Sequence, residues 1–244
     1  MPMNLSKADI IARLQKEIHS LQGYKTIANG NGFSGGLGPI KYAFPNNAFP
    51  LGTVHEFICN QPEDASSTSG FISGILSSLM RGNGACFWIC ASRSIFPPAL
   101  QLFGIEPGNI IFVEVLNEKE RLWAIEEALK CDGLSVVISE MQDMSFTASR
   151  RLQLAVEKSG VTGFLIRQGP KNFTTACAAR WRITALPCEM IDAMPGLGFP
   201  RWNVELLKVK NGKPGMWQLE WVGGSFRHVY KFVSLGNVQQ RKAV

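Results

Sequence analysis

Residues 52–79 carry the one stretch of this 244-residue chain whose residue types and order could handle a phosphate. A strand-like run, Thr53-Val54-His55-Glu56-Phe57-Ile58-Cys59, leads into a polar turn over 60–69. A helical pattern of Phe71, Ile72, Ile75, Leu76 and Leu79 follows. A phosphate cradle built on this layout needs glycines that let backbone N–H groups turn inward, a lysine for the terminal phosphates and a hydroxyl for magnesium. The turn keeps only the hydroxyl, Thr68, and it sets Glu63 and Asp64 where an anion would have to enter. The expectation is no productive ATP binding, no cofactor and no catalysis.

Other reactive side chains are sparse. The six cysteines show no C-x-x-C spacing and read as reduced, buried small hydrophobes. His19, His55 and His228 are far apart and belong to no ligand motif, so no metal site is expected. Charge is uneven: residues 1–144 carry 10 Lys/Arg against 14 Asp/Glu, net −4, and residues 145–244 carry 15 against 5, net +10. Arg150 and Arg151 open a helix, Arg167 and Lys171 flank a short loop, and Arg180 and Arg182 share one strand face. These six are candidates for contact with nucleic acid or an acidic partner, with a solvated surface as the bland alternative.

The elements that must position these residues follow from periodicity. Ile11, Leu14, Ile18 and Leu21 form one apolar stripe of a helix over residues 1–23. That helix either docks on another chain, by self-association or on a partner, or folds back on its own domain. Residues 24–48, rich in glycine, read as a flexible linker. From 49 to 232, strand-like runs at 86–90, 110–113, 134–138 and 161–166, the first two read as buried, alternate with helices, one capped at Asn117 and one over 148–159 closed by Gly160, which implies an α/β domain with a mostly parallel sheet in which 86–89 and 136–138 are neighbours. Period-two alternation then gives Trp202, Val204 and Leu206, a turn at 211–215, and Trp217, Leu219 and Trp221, an antiparallel hairpin at the sheet's edge. Residues 233–244 form a basic tail. The longest fully apolar run, 85–91, is too short to span a bilayer, so a cytoplasmic protein is expected.

Several of these motifs resemble the RecA-like group. The run Gln61-Pro62-Glu63-Asp64-Ala65-Ser66-Ser67-Thr68-Ser69 is similar to the RecA pattern Gly-Pro-Glu-Ser-Ser-Gly-Lys-Thr-Thr, with Gln61, Ser66 and Ser67 at the two glycines and the lysine and with Thr68 matching. Phe49-Pro50-Leu51-Gly52 with His55-Glu56-Phe57, Thr147-Ala148-Ser149-Arg150-Arg151-Leu152-Gln153-Leu154 and Pro200-Arg201-Trp202-Asn203-Val204-Glu205-Leu206-Leu207 resemble the ImuA family within it. The resemblance implies two more catalytic positions, and both have changed. Cys90-Ala91-Ser92 replaces Asp-Ala-Glu, and Ser139 replaces the magnesium-holding Asp, with Glu140 one place late. Gln168 matches the RecA glutamine that senses nucleotide, though the loop after it is much shorter. Lys210-Asn211 match a nucleotide-reaching Lys-Asn-Lys, with Gly212 in place of the second lysine.

The family likeness therefore implies a pseudo-ATPase. It implies a non-enzymatic accessory of damage-induced translesion synthesis and mutagenesis, acting on a Y-family-like polymerase partner, with RecA and DNA as further partners. The rivals are a cell-division inhibitor of the SulA type and a DNA-binding regulator of RecA filaments.

Overall fold

A strand buried at every residue must lie inside a sheet covered on both faces. β1 (Val54–Cys59) is such a strand and sits between β5 (Thr162–Gln168) and β6 (Ala179–Leu186), parallel to both. The computed structural model describes residues 7, 10, 14, 36–80, 84–93, 95–169, 174–188 and 198–229. Among these, one nine-stranded sheet runs in the order β3-β2-β4-β5-β1-β6-β7-β8-β9, with β2 at Ala85–Cys90, β3 at Ile110–Glu114 and β4 at Leu134–Met141. β1 to β6 pair parallel, and β2 and β4 are direct neighbours, as expected. β7 (Arg201–Val209) and β8 (Gly215–Val222) form the expected antiparallel hairpin, and a short β9 (Ser225–His228) extends it.

Helix α1 (Pro62–Leu79) covers one face, where Phe57, Phe71, Trp181, Trp202 and Phe226 pack in one apolar cluster. Helices α2 (Glu118–Lys130) and α3 (Phe146–Ser159) cover the other, over Val54, Val137 and Leu165. Both are capped as their sequences dictate. The Asn117 side chain accepts from the N–H groups of Lys119 and Glu120, and Gly160 closes α3 in the left-handed conformation.

Four sequence expectations change. The strand at 110–113, read as buried, is the sheet's edge: Ile111 is 47% exposed. The polar turn expected over 60–69 is helical from Pro62 onward, because proline at N1 and carboxylates in the first turn favour a helix start. Cys131 and Cys188 are exposed, whereas Cys59, Cys86, Cys90 and Cys177 are buried.

The fourth change concerns the linker. Gly38–Ala43 and Pro45–Asn47 are 3-10 helices, and Leu37, Ile40, Ala43 and Phe44 are core residues. This segment is clamped by the C-terminal strands. A Cβ on Gly38 would lie 2.6 Å from the His228 ring, and one on Gly212 would lie 2.2 Å from the Ala43 carbonyl oxygen. Gly212 thus serves a close backbone approach that a lysine at this position could not make. Residues 24–35, the tail 233–244, and Ile11, Ile18 and Leu21 lie outside the described residues; Leu14 is half-exposed.

Candidate functional site

The turn compared above with a phosphate cradle is built by the end of β1 and the first turn of α1. Gln61 is the extended N-cap residue, Pro62 is N1 and Asp64 is N3. The Asp64 carboxylate reaches back, and one oxygen accepts from the backbone N–H of Asn60 (2.9 Å) and of Gln61 (3.1 Å). Donors that could have turned toward an anion are held by a side chain from the same turn. The Ser67 hydroxyl donates to the Glu63 carbonyl at 3.2 Å. Thr68, the one matching hydroxyl, is fully buried against the Cys59 sulfur at 3.5 Å. Gln61 and Ser66 remain exposed.

Beside this turn lies a cavity of about 380 Å³, walled by α1 (Ser66, Ser69), the 95–103 segment (Ile95, Leu100) and two strand ends, Glu140 of β4 and Gln168 of β5. The parity of β4 decides which residue faces it. Val136 and Ile138 pack under α1, and Glu140 continues that row. Ser139 is buried on the opposite side of the strand with Val137 and Met141. Glu140, expected one place out of register for this edge, is therefore the residue that reaches the cavity.

The five basic candidates among the described residues do not form one surface. Arg150 is exposed on α3, and Arg151 beside it is paired with Glu126 of α2. Arg182 faces Glu205 across the β6–β7 pair at 3.4 Å, half-buried. Lys171 lies outside the described residues. Arg167, expected at a loop, is fully buried at the end of β5, ion-paired with Glu56 and with Asp143 (3.3 Å). Arg180 donates to the other Glu56 oxygen at 2.7 Å, and the Thr175 hydroxyl donates to that same oxygen at 2.9 Å. The structure brings Arg167 and Arg180 together around one buried carboxylate, which withdraws Arg167 from any partner-facing surface.

No protein-family model matches the chain. It is 32% identical over 209 residues to the Protein ImuA of Caulobacter vibrioides strain NA1000 and likewise to that of strain CB 15, a stretch covering 80% of this chain and 86% of each relative. The chain belongs to the ImuA family.

The His55-Glu56-Phe57 run, one of the motifs that pointed to ImuA, has a structural account in this protein. His55 is buried, stacks on Phe49 at 4.5 Å, donates from Nε2 to the Pro50 carbonyl (2.7 Å) and accepts at Nδ1 from the Trp181 indole (3.3 Å). Burial drives its pKa down to about 4, against the opposing pull of that carbonyl, so the ring is neutral. Glu56, on the opposite face of β1, is the residue that sequence reasoning passed over. Its signal was a carboxylate in an otherwise apolar strand, which is seldom buried unless paired.

The buried thiols of this ImuA protein are inert. Burial pushes Cys59 up to about 11 and Cys177 up to about 12, in both cases as the largest cause. Among the described residues, no helix is long and apolar enough to cross a membrane.

Proposed function

We propose that this ImuA-family protein is a non-enzymatic accessory of damage-induced translesion synthesis and mutagenesis, a pseudo-ATPase that docks on an error-prone polymerase partner. Family membership supports the mutagenesis role. The observation that carries the non-catalytic reading is the Asp64 carboxylate on the Asn60 and Gln61 N–H groups. A phosphate would have to displace it against the charge of Glu63, with no lysine in the turn and with the Thr68 hydroxyl buried.

Calorimetric titration with ATP and magnesium is expected to give no heat at micromolar affinity, and Ser67→Lys alone is not expected to create hydrolysis. In cells, deleting the gene should abolish damage-induced mutation, and a Ser67→Ala copy should restore it in full. Saturable tight nucleotide binding, or failure of Ser67→Ala to complement, overturns the pseudo-ATPase reading. Unchanged induced mutation together with capture of a cell-division GTPase turns the assignment to a SulA-type inhibitor. Contact with DNA, as the resemblance implies, would run through the exposed Arg150. Binding by that route would weaken steeply with salt and weaken further on Arg150→Ala.

A further inference from the structure

We propose that the solvent side of α3 is a docking ridge for an acidic amphipathic helix of a protein partner, one whose apolar stripe is flanked by aspartate or glutamate. The run from Thr147 to Leu154 divides in two. Half of it serves the fold: the Ser149 hydroxyl accepts from the Ala176 N–H and donates to the Phe146 carbonyl, the Gln153 side chain accepts from the Val54 N–H, and Leu152 is a core residue. The other half faces water. Phe146 (52% exposed), Arg150, Leu154 (43% exposed) and Lys158 follow one another at four-residue steps and form one ridge of alternating apolar and cationic side chains, about 18 Å long.

Ridges of this kind fit the groove of a second helix. Arg150 and Lys158 make no hydrogen bond or ion pair among the described residues, so both cations are open to a partner's carboxylates. Arg151, beside the ridge, keeps 58% of its side chain exposed in its pair with Glu126 of α2, and Trp123, one turn before Glu126, is 64% exposed and widens the apolar surface. A single-stranded nucleic acid would use the cations and could stack on Phe146, but it has no use for the aliphatic Leu154 set between the two cations. A second copy of this chain matches less well, because the helix expected over residues 1–23 brings Lys7, Arg13 and Lys16 against Asp9 and Glu17.

This proposal deepens the docking role given above and rests on it for the partner. It can be tested on the whole chain by methyl NMR of Leu154 and by the anisotropy of labelled probes. The probes are a blocked helical peptide with a leucine stripe flanked by glutamates, the same peptide with lysines for the glutamates, the same peptide with serines for the leucines, and a thymidine oligonucleotide. The glutamate helix is expected to shift the Leu154 methyls saturably. Its binding should weaken about tenfold in Arg150→Ala, the factor that loss of one charged hydrogen bond gives, and about tenfold in Leu154→Ser, the factor that loss of a partly buried leucine gives. Both positions are exposed, so urea unfolding should show both variants folded. Equal binding of the lysine or serine peptide, or no shift from any probe at millimolar concentration, overturns it. Shifts from the oligonucleotide without shifts from the glutamate helix give the ridge to nucleic acid, and a dimer that Leu154→Ser dissolves gives it to a second copy; either result overturns it. Lost mutagenesis in the deletion strain without binding of the glutamate helix removes the ridge alone. Binding by a protein whose deletion leaves mutagenesis unchanged supports the ridge and removes only the pathway.

Discussion

Asp64 and Glu56 are both buried or nearly so, both start from the same strand-and-helix unit, and both hold hydrogen-bond donors, but they draw those donors from very different distances along the chain. Asp64 takes backbone N–H groups three and four residues away, at the surface end of a helix. Glu56 takes side chains 111, 119 and 124 residues away, inside the sheet. The first arrangement forms as soon as the helix does, and its loss leaves groups that water can reach. The second exists only when β1, β5 and β6 are assembled, and its loss leaves charge where water cannot go. The two carboxylates therefore differ in what they stabilise: one ends a helix, the other ties the sheet's three central strands together.

The comparison breaks most visibly at Glu56. Glu56→Gln leaves Arg167 fully buried without its main counter-charge, and it is expected to destabilise the fold by about 3–5 kcal/mol in urea unfolding. Adding Arg167→Met should recover part of that loss, since most of it is the cost of a buried cation that has lost its fully buried counter-charge. A Glu56→Gln protein as stable as the parent would mean that Asp143 and the nearby carbonyls suffice for Arg167.

The same contrast governs what could be read from the sequence. The parallel sheet, the caps at Asn117 and Gly160 and the 201–222 hairpin were legible, because periodicity and turn residues act within a few positions. Arg167 was legible only as a charge at a strand end. Nothing local says that its partner is Glu56, so it read as surface. The linker failed for the same reason. Glycines at 36 and 38 look flexible until the ring of His228, 190 residues onward, closes over Gly38. Gln61 to Thr68 failed in the opposite direction, since likeness to a loop outweighed the local helix-start signal of Pro62 and Asp64.

A second, smaller effect sharpens the interior side of the comparison. The His55 ring has its pKa lowered from 6.5 to about 4, so between these values the unfolded chain binds more protons than the folded one, and stability rises with pH. The contribution is fully present above about pH 6.5 and is lost as pH falls toward 4, on the order of 3 kcal/mol in total. His55→Gln should flatten that part of the stability profile. A profile unchanged between pH 4 and 6.5 would show the histidine to be open to water.

The smallest effect belongs to Asp64 and tests the other side of the comparison. Asp64→Ala removes the acceptor for two N–H groups, yet Asn60 and Gln61 are exposed, so water replaces it and the expected cost is only about 1 kcal/mol, as for other helix-start contacts. Asp64→Asn, which keeps an acceptor oxygen, should cost less than Asp64→Ala. The freed N–H groups would also be open to an anion, so phosphate should be titrated against Asp64→Ala. No binding is expected, because Glu63 and the absence of a lysine in the turn remain. If phosphate binds that variant, the cradle is intact beneath its carboxylate and a single residue holds it shut. If it does not, the turn has become a helix end in its own right, and the two carboxylates differ only in how far their partners lie along the chain.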